Sequence, residues 1–244
     1  MNKVMKFIYI SGLLAASHVV ANDNIVLGPP PVSYSTLQVA GSESSVDAGY
    51  MSFTSNTMDM TGLGLGYSYT QKNDKESLHY FSLNYTGLDV QGSGSLSNAT
   101  GSGAILSGSY LYGHNFAENL TGFIGGNVTW MHTDLTVSGT NGSDTTMDTT
   151  TYGLTGGFQY DYKVSFGSFI PWAFASVNTG SSKTDMSTFG TNPTSTSTTT
   201  NIDATFTYQL GFDFYIKAIN SSLSSMYQSN DSGTLVSFFY SYKF

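Results

Sequence analysis

The pair of residues in this chain best suited to chemistry is a histidine and an aspartate two positions apart, His132 and Asp134. A carboxylate that orients an imidazole ring allows the ring to act as a general base toward a hydroxyl group. Residues two apart on an extended strand project from the same face, so both side chains would point the same way. The pair supports a hydrolytic hypothesis, but no sequence motif places a nucleophile beside it, and a histidine near Trp130 is typical of a membrane interface.

Other reactive side chains do not converge on a site. The chain contains no cysteine, which excludes disulfide bonds and a lipid-anchored N-terminal cysteine. The aspartates lack the spacing of a metal-binding loop, and the glycines of 62–66 alternate with leucine and precede no helix, unlike a phosphate-binding loop. His79 and His114 lie near predicted turns and are interpreted as interfacial residues. We therefore expect no enzymatic activity, no metal and no cofactor, and keep a rim hydrolase or lipid-modifying enzyme as an alternative.

The elements that would position these residues are alternating apolar runs that end in aromatic pairs. Period-two alternation marks one face of a β-strand. Aromatic rings at the end of such a face are typical of a membrane–water interface, where an amphipathic ring fits the headgroup layer. The pattern predicts a transmembrane β-barrel with a periplasmic aromatic girdle at Tyr67, Tyr69, Tyr110, Tyr112, Tyr160, Tyr162, Phe212 and Phe214, and a fifth pair at Tyr240 and Tyr242.

The clearest strand is predicted over residues 202–217, with Ile202, Ala204, Phe206 and the alternate residues that follow on the lipid face. Such a strand would be about 50 Å long at about 3.3 Å per residue, which favours a tilted barrel strand. For residues 168–178 two alternatives remain open: either Pro171 and its alternate neighbours face lipid, or Ile170 and Trp172 do.

Ten such segments predict an all-β fold, an antiparallel up-and-down transmembrane barrel of about 10 strands within a range of about 8–12. An even number returns both termini to the same side of the membrane. The predicted strands are 47–56, 62–69, 77–86, 104–112, 119–132, 151–162, 168–178, 202–217, 221–227 and 234–244.

The composition of the chain favours a membrane barrel over a soluble β-sandwich. Charged residues make up only 10% of the chain, and arginine is absent. The polar faces carry serine, threonine, glycine, asparagine and glutamine, which fill a narrow lumen without burying unpaired charge. Without Lys3 and Lys6, six lysines face sixteen acids, a net charge of −10. We expect no nucleic-acid partner, because phosphate contacts depend on lysine and arginine.

The N-terminus has the pattern of a secretory signal peptide. Lys3 and Lys6 precede an apolar stretch, and residues 19–21 offer a small-residue cleavage site. The predicted organisation is a signal peptide at 1–21, a periplasmic or lumen-entering leader at 22–46, and an outer-membrane barrel at 47–244.

Connections alternate between short and long. Short turns are predicted at 70–76, 113–118, 163–167 and 218–220, and outer loops at 87–103, 135–150, 179–201 and, briefly, 228–233. The long loops are dominated by serine, threonine, glycine and asparagine, too polar to pack a core of their own. Inward Phe239 and Tyr215 would obstruct the lumen, as would Trp172 in the alternative that places it inside. We therefore expect a structural or interaction protein that presents these loops to an unspecified surface ligand, with a narrow small-solute pore as the first alternative.

The C-terminal run resembles the terminal segment of small Gram-negative outer-membrane β-barrel proteins. The residues that carry the resemblance are Phe238, Tyr240, Tyr242 and Phe244, together with the alternating segments before them. The resemblance implies an outer-membrane location and recognition of these four residues by the barrel assembly machinery.

Charge placement predicts lipid contacts on both sides of the membrane. We interpret the lysines on the predicted periplasmic side as residues that extend to phospholipid headgroups. Outer acids would meet the divalent cations among lipopolysaccharides. The lysines of this group are Lys72, Lys75, Lys163, Lys217 and Lys243.

Overall fold

The computed structural model describes residues 41–73, 76–93, 97–138, 142–189 and 193–244. The predicted signal peptide and most of the predicted leader lie outside these residues. The first strand begins at Gly41 rather than at Asp47, so residues 41–46 are part of the sheet. The described residues contain no α-helix of the length and hydropathy that a helical membrane span requires.

Eleven strands form one antiparallel sheet. β6 and β7 are interrupted only at Asp161 and both pair with β8, so together they act as one strand. A short 3-10 helix, Lys217–Ile219, connects β9 to β10. The strands are β1 (Gly41–Ser55), β2 (Met58–Lys72), β3 (Ser77–Gly92), β4 (Ala99–Ala117), β5 (Leu120–Val137), β6 (Ser143–Tyr160), β7 (Tyr162–Val164), β8 (Gly167–Thr188), β9 (Thr194–Ile216), β10 (Ser221–Ser229) and β11 (Gly233–Lys243).

The sheet closes on itself between its first and last strands. β11 pairs with β1 from Ser45 opposite Lys243 to Ser55 opposite Gly233. The result is a closed up-and-down barrel of ten strands, as the alternation predicted. We call the end that holds Gly41 and Phe244 the lower end, and the end with the β1–β2 and β10–β11 turns the upper end.

Apolar side chains cover the outside of the barrel between its two ends. Leu63, Leu65 and Leu154 are among the most exposed, at 75%, 66% and 74% of their surface. A soluble protein does not expose apolar side chains over a continuous band of this kind. We call this band the apolar belt; at its top lie Trp130, Tyr152, Val177 and Phe206.

The structure decides the open alternative on β8 and corrects one residue of β9. Pro171 and Val177 lie outside, whereas Ile170, Trp172 and Phe174 are buried inside the barrel. The prediction that Ile202 faces lipid is wrong, since it is 3% exposed and points inward. The β8–β9 register shifts between Asn178 and Gly180, which face Thr205 and Ile202, and this β-bulge reverses the alternation above Thr205.

The three predicted long loops are mostly paired strands, so that prediction is wrong. β3 and β4 extend to Gly92 and Ala99, β5 and β6 to Val137 and Ser143, and β8 and β9 to Thr188 and Thr194. Threonine, being β-branched, suits a strand well. In addition, the inward positions of these segments carry apolar side chains that extend the interior of the barrel, namely Val90, Leu135, Met147, Met186 and Ile202.

Candidate functional site

The upper end of the barrel is strongly asymmetric. β8 and β9 have 22 and 23 residues, whereas β10 and β11 have 9 and 11. The long strands therefore rise beyond the apolar belt on one side only. We call this projecting part the outer wall and define it as residues 132–137, 143–150, 179–188 and 194–205.

His132 lies on the outward face of β5, directly above the apolar belt. Its ring stacks on Trp130 with a centroid separation of 5.9 Å and an interplanar angle of 16°. Strand pairing places His132 opposite Asp148 of β6. The Nδ1 atom of His132 lies 2.8 Å from Oδ1 of Asp148, and Nε2 lies 3.3 Å from Oδ2 of Asp134. The sequence predicted the contact with Asp134 but missed the closer contact with Asp148.

The two carboxylates favour the imidazolium form of the ring. The hydrogen bond with Asp148, supported by Asp134, raises the pKa of His132 despite partial desolvation. When protonated, His132 donates one N–H to each aspartate. Lys183 and Asp185 extend the group on β8, where Nζ lies 2.7 Å from Oδ2. We call these five residues the rim cluster: His132, Asp134, Asp148, Lys183 and Asp185.

The imidazole ring of the rim cluster has a carboxylate at each of its two nitrogens. In a hydrolase, the imidazole nitrogen distal to the orienting carboxylate would accept the proton of a hydroxyl group. Here that nitrogen, Nε2 of His132, faces the carboxylate of Asp134. The nearby hydroxyl of Thr146 donates instead to Oδ1 of Asp134 at 2.8 Å.

Buried apolar side chains occupy much of the barrel interior, together with buried serine, threonine, asparagine and glutamine side chains. The seven methionines within the described residues all point inward, and each is at most 7% exposed. Sequence reasoning did not single them out, although their alternation with outward residues could have revealed them. They are Met51, Met58, Met60, Met131, Met147, Met186 and Met226.

Aromatic side chains continue this interior toward the lower end. Phe174 packs between Phe123 and Trp172, with both centroid separations at 5.8 Å. A side chain at Gly211 would collide with the Trp172 ring, because the backbone passes too close for a Cβ atom. Phe239, which the sequence placed inside, packs against Gly49 in the same way. These contacts place aromatic rings inside the barrel, where they occupy part of the lumen.

The predicted girdle residues lie on the outer surface near the lower end. Tyr67, Tyr110, Tyr112, Tyr160, Tyr162 and Phe212 are exposed, and Tyr69 and Phe214 are half-buried. His79 joins them, with Nδ1 2.8 Å from the Tyr110 hydroxyl. The four alternate aromatic residues of the C-terminal run also point outward: Phe238, Tyr240, Tyr242 and Phe244.

Lys243 does not extend to headgroups as the sequence had suggested. It lies inside the barrel with no exposed surface, and its Nζ atom is 3.0 Å from Oε1 of Glu43. The alternation of β11 explains the placement, because Lys243 shares the inward face with Ser237 and Ser241. Lys163 and Lys217, by contrast, are exposed at the lower end, and Lys75 lies outside the described residues.

No family model and no curated protein sequence matches the chain. Solved structures do resemble it. The translocator domain of the autotransporter NalP from Neisseria meningitidis aligns with a TM-score of 0.55 at 8% identity, covering 96% of this chain and 95% of that one. The transport unit of the autotransporter AIDA-I from Escherichia coli aligns with 0.45 at 9% identity, covering 93% and 96%. An outer membrane channel from Pseudomonas putida F1 aligns with 0.41 at 12% identity, covering 89% and 100%. Together with the apolar belt and the closed sheet, the similarity to the NalP translocator domain shows that the chain has the fold of an outer-membrane β-barrel.

Proposed function

We propose that this protein is an outer-membrane β-barrel with a closed lumen that acts as a structural or interaction protein through its outer wall. The proposal includes no catalytic step and no cofactor. The observation that carries it is the contrast between a barrel interior filled by buried apolar and polar side chains and a tall, exposed polar projection directly above it.

The packed interior argues against a pore. Phe53, Met58, Met60, Ile105 and Leu235 are each at most 1% exposed. Side chains that pack as closely as those of a protein interior leave few voids larger than a water molecule. A hydrated pathway would require several of them to move together, and each movement would expose apolar surface to water.

The outer wall has the surface of a segment in water. Between Thr194 and Thr199, β9 exposes every side chain on both faces. The threonine and serine side chains there form local hydrogen bonds, such as that between Thr188 and Thr194 at 2.8 Å. Above Phe206, the described part of β9 exposes no large apolar side chain. A wall of this kind can contact partners outside the membrane, whereas the belt below it contacts lipid.

Orientation follows from the two ends of the barrel. The lower end holds the short turns and the exposed C-terminal aromatics, which we propose face the periplasm and engage the barrel assembly machinery during insertion. The girdle residues would contact phospholipid headgroups. The rim cluster would lie at the level of the lipopolysaccharide headgroups.

Surface labelling tests this topology directly, because a cysteine-free chain accepts single cysteines without background. Ser187 is exposed on the outer wall, and Glu118 is exposed in the lower turn between β4 and β5. On intact cells, a membrane-impermeant maleimide should label Ser187→Cys and spare Glu118→Cys until the outer membrane is permeabilised. Labelling of Glu118→Cys alone would invert the barrel and reject the proposed role of the outer wall.

A further inference from the structure

We propose that the upper edge of β9, residues 194–202, is a docking edge at which an extended, uncharged strand of a partner polypeptide joins the sheet. This inference rests on the proposed function, because it requires the outer wall to face the outside of the cell. It identifies which part of the wall binds and by which chemistry.

The edge exists because β10 is much shorter than β9. The last β9–β10 pair joins Tyr208 to Ser229. β10 ends there because the chain turns back, with Oδ1 of Asn230 accepting hydrogen bonds from the backbone N–H groups of Ser232 and Gly233 at 2.9 and 3.0 Å. Above this level, within the described residues, β9 is paired along 194–202 on its β8 side only.

The hydrogen bonds of Thr194 show which backbone groups face the open side. Its N–H donates to the Thr188 hydroxyl at 3.0 Å, and its carbonyl oxygen accepts from the same hydroxyl at 3.4 Å. Both groups of Thr194 therefore point toward β8. In an antiparallel ladder the direction alternates along the strand. The N–H and C=O groups that point to the open side therefore belong to Ser195, Ser197, Thr199 and Asn201.

This edge lacks the features that natural proteins use to prevent strand addition. Exposed edges are normally shortened, covered, or interrupted by charge, proline or a bulge. Residues 194–202 contain no charged residue and no proline. The bulge of β9 lies at the lower limit of the edge, between Ile202 and Thr205, and leaves the ladder above it regular. An edge that is left open over this length is suited to accept another strand.

The composition of the edge selects the chemistry of the occupant. No charged residue lies within 194–202, and the charges opposite it on β8, Lys183 and Asp185, are already paired with each other; Asp203 lies below the edge. A charged incoming strand would lose hydration without meeting a free counter-charge. Serine, threonine and other β-branched residues would instead form favourable cross-strand pairs with the threonines of β9. The main-chain hydrogen bonds would supply the affinity, as in other cases of β-strand addition.

A partner chain fits this edge better than the protein itself does. Two copies inserted in one membrane point the same way, and strands tilted by about 35–45° would then cross rather than pair. The residues before Gly41 lead from the lower end of the barrel, opposite Lys72. The packed interior separates that end from the outer wall. An extended segment that approaches from outside meets neither obstacle.

Amide hydrogen exchange on the refolded, full-length barrel tests the edge itself. In the free protein, the amides of Ser195, Ser197, Thr199 and Asn201 should exchange at least about 100-fold faster than those of Thr196, Thr198 and Thr200, which face β8. As a probe partner we would use a synthetic, end-blocked peptide with the sequence of residues 194–201, which is uncharged and rich in serine and threonine. Excess peptide should slow the four edge amides and leave the others unchanged.

A matched pair of variants identifies backbone pairing as the cause. Thr199→Pro removes one outward-facing donor, and Thr199→Ala removes the same side chain but keeps the donor. Peptide affinity should fall about tenfold or more in Thr199→Pro and remain near the native value in Thr199→Ala. Retained heat-dependent migration on a detergent gel would show that both variants fold.

Three results would overturn the inference. Slow exchange of the edge amides in the free protein would mean that the edge is already covered. Equal peptide affinity in the two variants would mean that binding does not use the backbone. Concentration-dependent protection without peptide would mean that a second copy occupies the edge. All three results are measured in detergent, and none depends on conductance. A conducting lumen would therefore reject the proposed function, but it would not change what these three measurements say about the edge.

Discussion

The ammonium group of Lys243 lies 3.0 Å from Oε1 of Glu43, inside the seam where β11 meets β1. Lys243 also sits 5.0 Å above the centre of the Tyr215 ring. The pair therefore joins the last strand to the first, with Lys243 fully buried and the Glu43 side chain 17% exposed. The buried ammonium group depends on its carboxylate partner, because Lys243 cannot be solvated if that partner is removed.

Replacing Lys243 with methionine should destabilise the folded barrel. The change keeps most of the side-chain volume but leaves the Glu43 carboxylate, which is 17% exposed, without its ammonium partner. Breaking one side of a fully buried ion pair costs about 3–5 kcal/mol, and the loss should be smaller here because water can partly solvate Glu43. Unfolding in urea, followed by tryptophan fluorescence in lipid vesicles, would measure the loss.

Lys217→Met is the matched control, since Lys217 is exposed on the short helix at the same end of the barrel. It should change the free energy of unfolding by less than about 0.5 kcal/mol. Adding Glu43→Gln to Lys243→Met should restore part of the lost stability. Equal stability of both single variants would contradict a structural role for the seam.

The pKa of His132 should show the effect of its two neighbouring aspartates, Asp134 and Asp148. Because its pKa is raised in the folded barrel, the ion pairs contribute fully below the unfolded pKa of about 6.5 and are lost as the pH rises through the folded value. The group is partly exposed, so the contribution to stability should stay below about 1 kcal/mol. An NMR titration of the His132 ring should give a pKa above that of a free histidine.

Asp148→Asn should lower the His132 pKa, because Asp148 makes the shorter of the two contacts. Asp144→Asn, on the same outward face but hydrogen-bonded to Thr136 at 2.9 Å, should leave it unchanged. An unshifted titration in Asp148→Asn would show that the rim cluster does not form in solution.

The inward methionines should resist oxidation while the barrel is folded. Hydrogen peroxide is small and would reach them through a hydrated lumen, converting the thioether to a sulfoxide. Mass spectrometry after brief peroxide treatment should find them intact in the folded barrel and oxidised in urea. A methionine introduced by Thr198→Met on the exposed outer wall supplies the positive control, and similar oxidation rates for all sites would contradict the packed interior.

Loss of the C-terminal residue should impair assembly. Deletion of Phe244 removes an exposed aromatic side chain and the two backbone hydrogen bonds between Phe244 and Ser44, at 2.9 and 3.2 Å. The amount of folded protein in the outer membrane should fall, measured as the heat-dependent band on a detergent gel. An unchanged amount would exclude Phe244 from the assembly signal.

Sequence reasoning identified the barrel because alternation is a local property that the chain displays directly. The outward faces of β2, β6 and β11 follow it without exception. It misplaced Ile202 because a bulge changes the alternation without a clear mark in the sequence. It treated the wall segments as loops because their serine and threonine content resembles that of loops, and it overlooked Asp148 because that contact depends on pairing across the β5–β6 hairpin.

Single-channel recording of the refolded barrel in planar bilayers tests the central claim most directly. The account predicts no steady conductance for the native protein, because a cluster of buried apolar side chains, together with buried polar side chains, occupies the lumen. Steady, open-channel conductance that increases in Phe239→Gly would contradict it and would favour a narrow pore for small solutes.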